Sequence, residues 1–248
     1  MSLSIICVKQ ILIMFILVAL GFLCGKINLI DKETNSKLSG FVLEVVNPVL
    51  IFMSYQQSFN NELLIGLGMS LVLGFISYGV MIFLLKFLYR KNKTNEGIVE
   101  QFAAIYSNCA FMGIPLINGL FGEEGVFFLT GYVTVFNIMV WTHGVVFFGG
   151  KEAQTSVKKV LTSPAIIATF LRLILCPVLF WLMFRWFDFI PDTVFMVVLV
   201  AAGCPAAATG TMFALRYKKC PEISAVVFAV TTLLSAITLP LMVMLGGV

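Results

Sequence analysis

Charged residues are scarce in this chain of 248 residues: Lys, Arg, Asp and Glu make up 11% of it, whereas hydrophobic residues make up 60%. About a quarter of an ordinary soluble domain is charged, so the composition excludes a soluble domain. The charge-free runs are long enough, at about 20 residues, to cross a hydrocarbon core of roughly 30 Å. We therefore predict an all-α polytopic membrane protein whose surroundings are the lipid bilayer.

The chain also lacks the parts of an enzyme. It has a single histidine, His143, and no Gly-x-Ser-x-Gly elbow, phosphate-binding glycine-rich loop or His-Glu-x-x-His motif. Hydrolysis, phosphoryl transfer and metal catalysis each depend on such patterns. The six cysteines include no Cys-x-x-Cys pair, so neither a zinc site nor a disulfide framework is indicated. We expect no enzymatic activity, no cofactor and no metal.

Eight apolar segments are predicted to cross the membrane in a single transmembrane domain over residues 1–248. The first lacks a small-x-small cleavage site and is interpreted as a retained span rather than a signal peptide. Glycines in span three let helices approach closely; they are Gly66, Gly68, Gly74 and Gly79. The predicted spans are 6–25, 38–55, 63–88, 98–121, 126–148, 160–184, 192–215 and 223–245.

Lys and Arg residues are concentrated in the loops on one side of these spans. They follow spans one, three, five and seven, whereas the links after spans two and four hold none and the link after span six holds only Arg185. By the positive-inside rule these basic loops are cytoplasmic, which places both termini outside. We expect a multi-pass protein of the plasma (inner) membrane. Because the loops explain the net charge of +4, that charge indicates no nucleic-acid partner.

Two spans contain helix-breaking residues at matching depths. Span four carries Gly113 and Pro115 within Ser107–Asn118, and span seven carries Pro205 within Ala202–Gly210. A proline inside a helix loses a backbone hydrogen bond and clashes with the preceding turn, so we predict a gap at each proline. In lipid, freed backbone groups must be buried in protein or face a cavity. Paired broken spans of this kind indicate a transporter's binding site.

The two broken spans are separated by three others, so they should run in opposite directions. Spans three to five and six to eight would then form two inverted three-helix units, with the two gaps facing each other across a wet pocket. The N-termini of the half-helices would present free N–H groups and the positive end of the helix dipole. The arrangement favours an anion such as a carboxylate.

Few polar side chains lie near the predicted gaps. Asn108 could bind substrate or satisfy the kinked backbone, and the two roles are compatible. Thr209 and Thr211 could line the site or bond to their own preceding turn. Asn47 and Asn137 are further candidates for lining the path.

Ionisable residues inside membrane segments are functional candidates. Glu44, in span two, could couple transport to a proton or a cation, or its side chain could simply reach the interface. His143, near the cytoplasmic end of span five, could relay protons or could be held by a hydrogen bond. Arg172 falls in the middle of span six, where inserting it costs at least about 2.5 kcal/mol.

The chain resembles the auxin efflux carrier family of membrane transport proteins. The similarity is strongest over Asn108–Leu116 and its continuation Phe121–Gly125. Further matching stretches are Asn47-Pro48, Asn137–Trp141, Cys204–Ala207 and Thr238–Pro240.

The resemblance implies an architecture like that of bile-acid transporters and NhaA, in which two inverted repeats place two broken helices across each other at Pro115 and Pro205. It further implies secondary transport of a small organic anion, such as a dicarboxylate or an auxin-like carboxylate, by an elevator movement. Asn108 would be the substrate-site amide. The residues assigned to the substrate site on all these grounds are Asn47, Asn108, Gly113, Pro115, Asn137, Pro205 and Thr209.

The chain departs from the family pattern between Phe170 and Leu171, where about two of the family's ten spans are missing. Residues 1–60 would then be what remains of a scaffold, beside transport-domain halves at 61–150 and 151–248. We expect a homodimer in which another protomer completes the scaffold. The alternative is a transport-inactive truncated paralogue or a membrane interaction subunit.

Overall fold

A computed structural model describes residues 3–41, 45, 49, 61–89, 94–148, 171–187 and 189–246. Within these ranges the regular secondary structure is helical apart from one isolated β-bridge. The α-helices are α1 (Leu3–Lys26), α2 (Lys32–Phe41), α3 (Asn61–Leu88), α4 (Asn95–Ile105), α5 (Ile114–Met139), α6 (Val145–Phe148), α7 (Cys176–Phe184), α8 (Asp192–Gly203), α9 (Ala208–Arg216) and α10 (Pro221–Leu245). Wider π-helical turns at Cys109–Gly113, Val140–Gly144 and Leu171–Leu175 lead into α5, α6 and α7.

Several of these helices have the length and composition of membrane spans. Four helical stretches qualify, namely Ile5–Lys26, Asn61–Leu88, Cys109–Phe148 and Pro221–Leu245, and the shorter apolar helices are Leu173–Phe184 and Asp192–Gly203. The protein is therefore an all-α polytopic membrane protein, as predicted. Most of predicted span two and the first part of span six lie outside the described residues, as do Glu44 and Asn47.

The helical stretch Cys109–Phe148 folds back on itself at Gly122. That residue has φ 65° and ψ −156°, a conformation that is essentially restricted to glycine. The two arms then lie side by side, because a Cβ placed on Gly113 would come within 3.5 Å of Leu129 Cδ2. The turn predicted between spans four and five is confirmed.

α8 lies at the centre of the fold. Every residue from Val194 to Gly203 is buried, and the helix packs against α3, α5, α7 and α10. A helix that is apolar on all sides needs such an all-round burial. Consequently the chain that follows α8 begins inside the protein.

α3 packs along the second arm of α5, after Gly122. A Cβ on Gly74 would lie 3.3 Å from Val135 Cβ, and one on Gly66 would meet the ring of Phe128. Among the described residues, no atom would lie within 4 Å of a Cβ on Gly68 or on Gly79. Close helix approach at glycines is thus confirmed for two of the four positions in span three.

α1 packs against α5 and α10, but the described residues leave much of its apolar surface uncovered. Leu17 is 61% exposed and Phe22 is 69% exposed. Extended apolar surfaces of this kind mark contact with lipid or with another protein.

Candidate functional site

The breaks in the two spans meet each other in the protein interior. The N–H of Asn108 donates to the Pro205 carbonyl at 2.7 Å, and the N–H of Ala207 donates to the Tyr106 carbonyl at 2.9 Å. These bonds flank an antiparallel bridge between Ser107 and Ala206. We call residues 106–108 and 204–207 the crossing. The broken spans do run in opposite directions, and their backbones pair directly instead of facing each other across a pocket.

The second break follows from local sequence. Cys204 precedes Pro205, and the residue before a proline is disfavoured in a helix. Its ψ of 148° is that of extended backbone. Pro205 has no N–H group that would need a partner, while its carbonyl accepts the bond from Asn108. The predicted gap at Pro205 is confirmed.

The first break lies at residues 106–108, and the predicted gap at Pro115 is wrong by about two helical turns. Tyr106 already has extended backbone, with φ −97° and ψ 120°. Pro115 instead occupies the first turn of α5, where proline is well tolerated because the first N–H groups of a helix have no partner in it. The π-helical turn Cys109–Gly113 leads directly into that helix. Pro115 therefore lies outside the crossing, with an exposed side chain.

Gly113 does not break the helix either. Its φ of −66° and ψ of −46° are ordinary helical values. A Cβ on this glycine would lie 3.8 Å from the sulfur of Cys204, at a normal contact distance. Gly113 borders the crossing by packing against it.

Two hydroxyl groups from neighbouring helices support the crossing. The hydroxyls of Tyr78 in α3 and Ser107 lie 3.4 Å apart. In α10, Thr231 Oγ1 accepts from the N–H of Ala206 at 3.2 Å and donates to the Val227 carbonyl at 2.7 Å. The sequence analysis missed both supporting residues, because a hydroxyl inside an apolar span does not by itself show that it lies beside the crossing.

The backbone of Asn108, and not its side chain, satisfies the break. Its carbonyl accepts from the N–H groups of Met112 at 3.0 Å and Gly113 at 3.4 Å, and its amide side chain makes no capping hydrogen bond. The residue is only 5% exposed. Of the two roles considered for the Asn108 side chain, capping the backbone is not what the structure shows.

The threonines of α9 also differ from the expectation that they bond to their own preceding turn. Thr209 Oγ1 is buried and has no hydrogen-bond partner among the described residues. Thr211 Oγ1 lies 3.3 Å from Ser224 Oγ of α10. Thr209 therefore leaves an unused hydroxyl in the first turn after the second break.

Access to the crossing is asymmetric. Residues 99–109 and 194–207, which include the C-terminal ends of α4 and α8, are all buried. Partial exposure begins only at Ala110 and Phe111 after the first break and at Ala208 and Thr209 after the second. These are the first turns of half-helices, where N–H groups lack intrahelical partners and the helix dipole is positive. The accessible edge of the crossing is suited to an anion.

Tyr106 of the crossing is hydrogen-bonded to His143, the only histidine of the sequence. Its hydroxyl donates to the Met139 carbonyl at 3.0 Å and lies 2.9 Å from His143 Nδ1. A tyrosine hydroxyl has one hydrogen, so with that hydrogen on Met139 it is His143 Nδ1–H that donates to Tyr106. The interpretation of His143 as a hydrogen-bonded residue fits this geometry.

Asn137 is not brought into the crossing by any hydrogen bond among the described residues. It is partly buried on α5 beside Phe136, whose ring centroid lies 6.2 Å from that of Tyr106. Asn47 lies outside the described residues, as does the proposed coupling residue Glu44.

The sequence analysis did not consider three buried ionisable side chains. The terminal atoms of Tyr89, Glu100 and Lys219 are buried without a hydrogen-bond partner in the described part of the chain. Burial raises the pKa of Tyr89, and the negative charge of Glu100 raises it further. Burial lowers the pKa of Lys219. Glu100 could have been found from the sequence, because it falls inside the predicted span 98–121.

Within the described residues the crossing is not a metal site. The described residues contain no group of three or more His, Cys, Asp or Glu side chains that could hold a metal ion. A shallow cleft lies between α3 and α7, where Ser77, Met81 and Phe180 are among its lining residues. Residues 106–108 and 204–207 of the crossing are all buried. The crossing is thus packed in this conformation.

Comparison with known proteins gives a match that covers nearly the whole chain. The sequence model of a family described as membrane transport protein matches residues 6–163 and 152–243. No curated protein matches the chain. The family match confirms the resemblance carried by Asn108–Leu116 and the stretches that accompany it.

Proposed function

The chain belongs to the membrane transport protein family and is a membrane transporter, and from that premise we propose that it carries a small organic anion by alternating access around the crossing. A dicarboxylate or an auxin-like carboxylate has the size and charge that such a site would take. The family is one of transporters rather than enzymes. We infer that the chain performs no catalysis.

The observation that carries this proposal is a pair of polar side chains next to the accessible edge of the crossing. The Asn108 amide and the Thr209 hydroxyl are not consumed by capping bonds. Both residues precede or begin half-helices whose first turns are the partly exposed part of the site. A carboxylate would accept from the amide, the hydroxyl and free N–H groups, and its charge would be favoured by the two helix dipoles.

The remaining parts of the proposal concern assembly and orientation. We propose that residues 1–60 act as a reduced scaffold, with transport-domain halves at 61–150 and 151–248, in an elevator-like movement. We propose a homodimer in the plasma membrane, in which a second copy completes the scaffold; the apolar surface of α1 that the described residues leave uncovered is available for this contact. The distribution of Lys and Arg supports extracytoplasmic termini.

Uptake into proteoliposomes tests the substrate site. Purified protein is reconstituted and the entry of labelled malate and of a labelled aromatic carboxylate is measured for wild type, Asn108→Ala and Asn118→Ala. Asn118 is the matched control, because it is an exposed amide on the same arm of α5, away from the crossing. A hydrogen bond to a charged group contributes about 1.5–3 kcal/mol, so Asn108→Ala should raise the half-saturating concentration roughly ten- to hundredfold.

Equal loss in the two asparagine variants, or unchanged uptake in Asn108→Ala, would remove Asn108 from the site. Folded wild-type protein that neither binds nor moves any carboxylate would favour the alternative, a transport-inactive paralogue or a membrane interaction subunit. A thermal-shift screen of small organic acids separates binding from transport, since a ligand that binds only the folded protein raises its melting temperature.

A further inference from the structure

Glu100 is a carboxyl group buried in a membrane-spanning half-helix. It lies in α4, the helix that leads into the first break, and it is 0% exposed. Neither of its carboxylate oxygens has a hydrogen-bond partner among the described residues. The sequence reasoning assigned it no role, and the substrate site proposed above does not use it.

An ionised carboxylate in such a position would be costly. Transfer of an unpaired charge from water to a protein interior costs several kcal/mol even after relaxation, so the group becomes neutral instead. The neutral acid needs no counter-ion and has one proton to give. In the described conformation burial therefore favours the protonated form of Glu100 over the carboxylate.

The neighbouring charges act in the same direction. Glu96 lies one helical turn earlier on α4, is partly exposed, and its negative charge acts on Glu100. The buried Tyr89 hydroxyl at the end of α3 is close enough for the charge of Glu100 to raise its pKa. Neither group offers a positive charge that would hold Glu100 in its ionised form.

The other elements packed against α4 are α3, α9, α10 and the π-helical turn before α7. Among the described side chains on α3 and α10, Lys86 and Glu222 are exposed. Lys219, in the turn before α10, is buried. None of these three side chains forms an ion pair with Glu100 within the described residues. The side chains of Arg172, in the π-helical turn, and Arg216, in α9, lie outside the described part of the structure.

We propose that Glu100 is a proton-binding site whose occupancy is linked to the movement of the crossing. The carboxyl group keeps its proton while α4 is enclosed by its neighbours. When α4 moves so that water reaches the carboxyl, the O–H bond breaks, the proton passes to water on that side, and the carboxylate remains. Glu100 lies five residues before the end of α4, about 7.5 Å along the helix axis, so a displacement of the crossing also displaces the carboxyl.

The first test concerns proton binding alone and needs no substrate. Infrared difference spectra of the full-length protein in lipid bilayers are recorded between neutral and strongly alkaline pH for wild type, Glu100→Gln and Glu96→Gln. Wild type and Glu96→Gln should show the carbonyl absorption of a protonated carboxyl at neutral pH, and Glu100→Gln should lack it. If wild type shows no such absorption, or if it persists in Glu100→Gln, the proposal is wrong. The wild-type spectra alone can therefore overturn it, should the variant fail to fold.

The second test concerns coupling and rests on the proposed transport function. With one proton carried per substrate, a gradient of one pH unit should change the accumulation ratio of a transported carboxylate about tenfold in wild type and in Glu96→Gln. In Glu100→Gln, uptake down the substrate's own gradient should continue, but the pH gradient should no longer change it. A pH effect that survives in Glu100→Gln, or dependence on Na⁺ in place of protons, would overturn the coupling role. Absence of carboxylate transport in wild type would instead refute the proposed function, while the spectra still decide proton binding.

Discussion

Replacing Thr231 with valine tests whether one hydroxyl holds the second break open. Valine has the shape of threonine but removes the acceptor of the Ala206 N–H, and Thr231 is fully buried. A buried donor left without a partner costs about 1–3 kcal/mol. For a chain of this size each kcal/mol lowers the melting temperature by roughly 2–4 °C, so a fall of roughly 2–12 °C is expected.

The neighbouring threonine supplies the control. Thr232 Oγ1 is buried but has no hydrogen-bond partner among the described residues, so Thr232→Val removes only an unpaired polar atom. This second variant should be as stable as wild type or more stable. Thermal unfolding in detergent gives the stabilities, and hydrogen exchange of the peptide containing Ala206 gives the local effect, which should be faster exchange in Thr231→Val alone. Equal melting temperatures in the two variants would refute the argument that Thr231 supports the crossing.

Two further predictions concern positions where the structure separates similar residues. A Cβ on Gly131 would lie 3.1 Å from the Leu67 carbonyl oxygen, whereas one on Gly68 would meet no atom of the described residues within 4 Å. Gly131→Ala should therefore lower the melting temperature by several degrees and Gly68→Ala should not. Equal melting temperatures would show that α3 and α5 can separate freely. Pro115→Ala should retain uptake, because Pro115 lies in the first turn of α5. Pro205→Ala should impair uptake, because α8 could then extend into the crossing. Loss of uptake only in Pro115→Ala would contradict this assignment.

The difference between the two breaks shows how far local sequence determines the site. The break at Pro205 was predictable, since a proline disfavours helical backbone at the residue before it. At Tyr106–Asn108 no glycine or proline interrupts the chain. The helix ends there because its carbonyl and N–H groups find partners on the other broken span. These partners lie 97 to 101 positions away along the chain, so they do not affect local helix propensity. The prediction therefore placed the break at the nearest proline, Pro115.

The supporting residues were missed for a related reason. Apolar composition identifies a span but not its inward face when the helix is in lipid, because lipid-facing and core-facing positions are both apolar. Thr231 and Tyr78 could be separated from other polar residues only by knowing which helices lie beside the crossing. Glu100 is different, since a carboxyl inside a predicted span is a signal in its own right. The helical type of the elements followed from composition, whereas the partners of the crossing required the packed structure.

The pairing at the crossing makes the two broken spans depend on each other. Each contributes one N–H donor and one carbonyl acceptor, through Asn108 and Tyr106 on one side and Ala207 and Pro205 on the other. A buried backbone group without a partner is costly, and lipid offers no substitute. Separating the breaks would therefore leave four groups unsatisfied at once, whereas moving them together leaves none. Substrate held between Asn108 and the first turn of α9 would contact both spans. We expect the crossing to move as one rigid body rather than by bending either half-helix alone, because only that movement preserves both hydrogen bonds.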